Sequence, residues 1–129
     1  MNGSPMSNAM VVDDSRAMRM ILRKALEELG FSCCEAGNGQ EAIKVLGQQP
    51  TAPVLMLVDW NMPVMSGLEL VKVLRANDRY TRTVLIMVTT ETEIAQMSLA
   101  LDAGANEYVM KPFKKEAIAE KLQVMNLAH

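Results

Sequence analysis

Five polar or charged residues, Asp13, Asp14, Asp59, Thr89 and Lys111, each stand just where an apolar run ends. The three acids offer hard oxygen donors, which suit a divalent cation such as Mg2+. Carboxylates brought close together repel and raise each other's pKa, a penalty that a bound cation removes. A carboxylate beside a metal can also act as a nucleophile toward phosphorus. Asp59 has the residue type for that attack, Lys111 for balancing the charge, and Thr89 for donating a hydrogen bond to a phosphoryl oxygen. Taken singly, each has a plainer explanation: an acidic pair after a strand caps a helix, a threonine ends a strand, a lysine is a surface lysine. Their joint appearance at the ends of four apolar runs favours one shared cleft.

The elements that must position them follow from periodicity. AMVV (9–12), VLMLV (54–58), VLIMV (84–88) and YVM (108–110) are apolar, bounded by turn signals and too short for helices, so they read as buried strands. FSCCEA (31–36) is a fifth strand candidate. Met18, Leu22, Ala25 or Leu26, and Leu29 recur at helical spacing over 16–29, with Ser15 able to cap and Gly30 to stop. A helix near 40–48 follows the turn Gly37-Asn38-Gly39. Met62-Pro63 and Ser66-Gly67 force a turn, and Gly67 opens a helix to about Ala76 with Leu68, Val71 and Leu74 inward. Ile94, Met97 and Leu101 predict a helix over 92–103 that Gly104 ends, and Ile118, Leu122 and Met125 another over 114–127. Strict alternation of strand and helix implies right-handed crossovers around a parallel sheet. Open α/β sheets place their ligands along the C-terminal strand edge, where all five polar residues fall.

Composition agrees. The 129 residues suit one domain, expected over 9–127, with residues 1–8 read as a disordered arm or the remnant of an expression tag. Half the residues are hydrophobic and only 4% aromatic, so aliphatics and the twelve Met must fill the interior. A net charge of −2 gives no electrostatic footing for nucleic acid or an anionic membrane. No apolar run approaches the roughly 20 residues of a membrane span, and the polar start does not resemble a signal peptide. Cys33 and Cys34 are adjacent and would point to opposite faces of a strand, so they are poorly placed to bond each other. With no third cysteine, a reducing cytoplasm is expected and packing is preferred over a redox role. His129, the one histidine, is read as idle, and Trp60 as a reporter beside Asp59.

VVDDS, DWNMPVMSGLE, VTTE and YVMKPF, in this order, resemble the receiver domain of bacterial two-component response regulators, in particular its stand-alone, CheY-like chemotaxis type. The likeness spans about residues 9 to 126 and implies a flavodoxin-like α/β fold: a five-stranded parallel sheet of order 2-1-3-4-5 flanked by five helices. It implies that Asp59 is the phosphoacceptor. It implies that Asp14, Asp59 and the backbone carbonyl of Asn61 bind Mg2+ directly, with Asp13 acting mainly through water. Lys111 would pair with the carboxylate and then the phosphoryl group. Thr89 would move toward that group, and Tyr108 would swing inward behind it. The Lys111–Pro112 bond would be cis. The donor would be a histidine kinase or phosphotransfer domain, and the surface at 92–127 would meet a downstream protein. Arg16, Arg19 and Arg23, on one helical face, would either help dock that donor or form a solvated face. No enzymatic turnover of an external substrate is expected, only self-catalysed transfer to Asp59 and hydrolysis from it, for which Asn61 and Glu91 match types with short-lived signals. Two departures stand out. Thr90 stands where the family usually carries a smaller residue and would crowd the path of Tyr108, and Ser66 stands in place of a common acid, an exchange expected to be harmless.

Other readings are weaker. A haloacid-dehalogenase-type phosphatase would need a second acid where Asn61 stands, and a cap domain. In a flavodoxin-like electron carrier, Asp13-Asp14 would repel the cofactor phosphate. A receiver fragment of a larger regulator, or a phosphorelay intermediate rather than a chemotaxis output, remains open. With no linker or DNA-binding segment after 127, a stand-alone protein is expected.

Overall fold

The apolar runs pair side by side. A computed structural model, which describes residues 7–111, 113–125 and 127, contains β1 (Ser7–Val12), β2 (Phe31–Ala36), β3 (Leu55–Asp59), β4 (Val84–Thr89) and β5 (Glu107–Met110). They form one parallel sheet of order β2-β1-β3-β4-β5. Between them run α1 (Arg16–Glu28), α2 (Gly39–Gln48), α3 (Gly67–Arg75), α4 (Met97–Ala103) and α5 (Lys115–Val124). β1 starts at Ser7, ahead of its apolar run, because Ser7 and Asn8 pair with Phe31 and Ser32. The rest of the expected N-terminal arm, residues 1–6, lies outside the described residues, as does His129.

Successive strand side chains point to opposite faces, and both faces are covered. Met10, Val12, Met56, Val58, Leu85 and Met87 pack with Leu46 of α2, Leu70 and Leu74 of α3 and Met97 of α4. Val11, Leu55, Leu57, Ile86 and Val88 pack with Leu22 and Leu26 of α1 and Ile118 and Leu122 of α5. Cys34 joins the first layer and Cys33 the second. Burial, the largest influence, pushes both thiols up, Cys33 to about 11, so neither is a ready thiolate.

Side-chain caps set the helix starts: Ser15 and Asn38 accept from the N–H groups of Met18 and Glu41. Ser66 forms a reciprocal capping box with Glu69 that opens α3. The expected helix over 92–103 is divided: Glu91–Gln96 is 3-10 and only Met97–Ala103 is α. A 3-10 turn holds about 3.0 residues instead of 3.6, so a face read from an unbroken α period drifts. That drift bears on Ile94 against α4; within α4 itself Met97 and Ala100 are inward, whereas Leu101 is 42% exposed. In α3 the inward face is Gly67, Leu70, Val71 and Leu74, and Leu68 is half-buried. α5 ends at Val124, short of 127.

Arg75 ties the α4–β5 connection to the rest of the fold. Its guanidinium donates to the carbonyls of Gly104 (2.8 Å), Tyr80 (2.7 Å) and Thr83 (2.8 Å) and to Asn106 Oδ1 (2.8 Å). Gly104 lies against it at φ +121°, where a Cβ would meet Arg75 Cγ at 2.5 Å. Charged hydrogen bonds contribute about 1.5–3 kcal/mol each, and a removed donor strands its acceptors. With partial solvent access to the freed carbonyls, Arg75→Ala is expected to lower unfolding free energy by about 2–3 kcal/mol in urea. A loss under about 0.5 kcal/mol, the range of an ordinary surface change, would contradict this.

Candidate functional site

The C-terminal ends of β1, β3, β4 and β5 meet at one edge of the sheet. Asp13 follows β1, its N–H donating to Ala36 O of β2 (3.1 Å) and its Oδ1 accepting from the Ser15 N–H (2.9 Å). Its side chain is fully buried, while Asp14 faces solvent. Asp59 is the last residue of β3, aligned with Val88 and 5% exposed. The chain then folds back on itself, with Trp60 N–H on Val88 O and Gly67 N–H on Trp60 O, both 3.0 Å. Gly67 lies so close to this turn that a Cβ would sit 2.5 Å from Asp59 O.

Lys111 follows β5, its backbone N–H held by Thr89 O (2.6 Å). From there its Nζ reaches Asp59 Oδ1 (3.3 Å) and Asp13 Oδ2 (3.5 Å). One oxygen each from Asp13, Asp14 and Asp59 lie within 4.8 Å of one another. Burial first, and then the charge of Asp13, push the Asp59 carboxyl up to about 6, against the pull of Lys111. Burial would lower the Lys111 ammonium, but Asp59 and Asp13 outweigh it and hold it above its ordinary value. Three carboxylates with one ammonium leave a net negative, all-oxygen donor set, which fits a hard divalent cation better than a soft one. Asn61 lies exposed in the loop two residues beyond Asp59.

Thr89 is fully buried at the end of β4, but its hydroxyl turns to Thr90 O and Glu93 Oε1 (both 3.4 Å) rather than to Asp13, Asp14 or Asp59. Tyr108 is half-buried and packs against the α2–α4 layer, with Lys121 Nζ 5.8 Å from its ring centroid. The expected cis bond falls at Pro112, outside the described residues.

Two arginines expected on a docking face have intramolecular partners. Arg19 binds Glu35 Oε1 (3.1 Å) and Asp13 O (2.6 Å), and Arg23 binds Glu35 Oε2 (2.8 Å) and Glu27 (3.1 Å). Arg23, foremost, and Arg19 hold the Glu35 carboxyl below its ordinary range despite burial. Arg16 is exposed, whereas Arg19 and Arg23 are half-buried. Glu35 was hidden by its place in an apolar-looking strand. Glu93 carried a readable signal, the spacing Thr90-x-x-Glu93 of a capping box.

Comparison with known proteins agrees with this arrangement. The response regulator receiver domain family matches residues 9–123. The chemotaxis protein CheY1 of Helicobacter pylori is 44% identical over 117 residues, 90% of this chain and 94% of that one. The CheY homologue of Campylobacter jejuni is 46% identical over 115 residues, 88% of each. Among solved structures, Vibrio cholerae chemotaxis protein CheY4 superimposes with a TM-score of 0.84 at 32% identity, covering 93% of this chain and 98% of that one. Sheet order, sequence match and structural match converge, and the chain belongs to the response regulator receiver domain family, with CheY proteins among its relatives.

Proposed function

We propose that this protein is a phosphorylation-activated signalling switch of a two-component system, accepting a phosphoryl group on Asp59 from a histidine kinase or phosphotransfer domain. The observation that carries this is a buried, strand-end Asp59 with Lys111 Nζ at 3.3 Å and two further carboxylates alongside. One Asp59 Oδ attacks phosphorus and forms the new O–P bond. The bond to the donor's imidazole nitrogen breaks, its electron pair leaving with the imidazole. Asp13, Asp14, Asp59 and the Asn61 carbonyl would hold Mg2+, which when bound neutralises charge between carboxylate and incoming phosphoryl group. Lys111 stays within reach of both. Thr89 then donates to a phosphoryl oxygen and Tyr108 turns inward.

The new dianion need not create the active state, only favour it. Moving a population from 1:99 to 99:1 takes roughly 5.5 kcal/mol of differential interaction. The surface over 92–127 would meet the downstream protein. It holds a groove of about 470 Å³ lined by Tyr108, Met110, Phe113, Lys114, Ala117 and Lys121, among others. Hydrolysis at Asp59 ends the signal, and no external substrate is turned over. The relatives' names favour chemotaxis over a phosphorelay. A cytoplasmic site of action fits unpaired Cys33 and Cys34. Among the described residues no helix is long and apolar enough to cross a membrane.

Trp60, next to Asp59, reports the test. Its fluorescence should change on Mg2+ titration and again on adding acetyl phosphate, with the second change absent from Asp59→Asn. Metal binding with no donor response would sink the phosphoacceptor reading and leave a binding module. No response to either would mean that the acidic cluster does not work as a site.

A further inference from the structure

We propose that Glu93 is a positioning residue for this switch: its carboxylate holds the Thr89 hydroxyl in a resting position that phosphorylation must undo. The inference rests on Asp59 as phosphoacceptor with Thr89 as its hydroxyl partner, and names the resting partner of that hydroxyl.

Thr89 is fully buried, so its hydroxyl must find acceptors within the protein. They are Thr90 O and Glu93 Oε1, each at 3.4 Å. The same Oε1 accepts from Thr90 Oγ1 (3.1 Å) and the Thr90 N–H (3.3 Å), while Glu93 N–H donates to Thr90 O (3.0 Å). With the Thr90 hydroxyl donating to Glu93, the Thr92 hydroxyl at 2.9 Å donates in turn to Thr90. Glu93 is therefore oriented by the cap of the 91–96 turn and presents a fixed anionic acceptor to Thr89. At 3.4 Å the two Thr89 contacts are long for O–H···O bonds. They break at small cost, which a switch requires.

A phosphoryl group on Asp59 offers this hydroxyl a better acceptor, a dianion, and its charge also opposes that of Glu93. A free Thr89 hydroxyl also meets the phosphoryl group as it arrives; while Glu93 holds Thr89, only a fraction of molecules has it free, and apparent reactivity falls by that fraction. Because one oxygen both caps the 91–96 turn and holds Thr89, release of the hydroxyl and rearrangement of this turn are linked. That turn leads directly into α4, at the start of the proposed output surface.

The test is the rate of phosphorylation by acetyl phosphate with Mg2+, followed through Trp60. Glu93→Ala should react about threefold to tenfold faster than the unaltered chain, the range of one weak hydrogen bond. Glu93→Gln, which keeps a neutral acceptor, should fall between. In a Thr89→Val background, where no hydroxyl is left to release, Glu93→Ala should change nothing further. An unaltered rate in Glu93→Ala would overturn the proposal. So would an effect that persists in Thr89→Val, or one reproduced by Thr90→Ala, which loosens the cap but leaves the Thr89–Glu93 contact. If the folded chain takes no phosphoryl group at all, the phosphoacceptor reading fails separately. Glu93 is then judged on the Thr89 side chain alone, from γ-methyl couplings without donor. One rotamer that becomes averaged in Glu93→Ala upholds the resting contact, and an unchanged rotamer overturns it.

Discussion

Asp59→Asn is expected to abolish phosphoryl incorporation and, without metal, to make the fold more stable. The first effect follows from chemistry: an amide oxygen is too weak a nucleophile to displace a phosphoryl leaving group. The second follows from electrostatics. Burial, aided by Asp13, lifts the Asp59 carboxyl from 3.8 to about 6, so the folded state disfavours its ionised form. A raised folded pKa means that the folded state binds the proton more tightly. Its stabilising contribution is full below about pH 4 and is lost as pH rises through about 6. At 1.36 kcal/mol per pKa unit, a shift of this size caps the gain on removing the charge at about 3 kcal/mol. Lys111 loses a partner in the variant, so about 1–2 kcal/mol at pH 7 is the expected net. The advantage should shrink toward zero below about pH 4. Saturating Mg2+ should narrow it from the other side, since the cation stabilises the three-carboxylate chain more than the variant. Urea unfolding at pH 4, 6 and 8, with Mg2+ and with chelator, checks every limb. An Asp59→Asn protein less stable than its parent at pH 8 in chelator would refute the electrostatic account.

How much of this was legible in the residues depends on the range of the interaction that decides each feature. Strand identity and the parallel sheet needed only short apolar runs in strict alternation with helical patterns, whereas the strand order came from the family resemblance. The acidic cluster was legible because Asp13, Asp14 and Asp59 each stand at the end of a strand, and a parallel sheet brings strand ends together whatever the side chains do. The partners of Arg19 and Arg23 were not legible, because Glu35 meets α1 only through the register of β1 with β2. The division of the 92–103 helix was half-legible. Thr90 and Glu93 have capping-box spacing, but nothing local announces that the following turn tightens to 3-10 before α4 begins at Met97. The state of Thr89 was not legible at all. Its residue type suits a phosphoryl oxygen and a carboxylate equally, and only the fold decides which acceptor it meets first.

Gly67→Ala is expected to disable the site from outside it. Local propensity points the other way: alanine in a helix is favoured over glycine by about 1 kcal/mol. Gly67 opens α3 without a left-handed φ, so nothing in its own backbone demands glycine. Packing demands it. A Cβ there would lie 2.5 Å from Asp59 O, 2.8 Å from Met87 Cε and 3.0 Å from Trp60 Cα. The end of Met87 can swing aside, but the other two contacts are backbone of Asp59 and its neighbour Trp60, and they must move. Overpacking of this kind costs about 1–3 kcal/mol, and a misplacement near 1 Å in a reacting group costs about 100-fold in rate. The variant should therefore fold with a lower urea midpoint and accept phosphoryl groups at least about tenfold more slowly, with weakened Mg2+ binding. Gly47→Ala is the matched control. Gly47 lies within α2, and a methyl group added there would meet nothing within 4 Å. Alanine at 47 should therefore stabilise by about 0.5–1 kcal/mol and leave phosphorylation unchanged. The opposite signs separate the two roles of glycine in one chain: a cost to the helix at 47, and the space that lets β3 deliver Asp59 at 67. A Gly67→Ala protein that gained stability and kept its rate would show that the β3–α3 turn yields without moving the carboxylate.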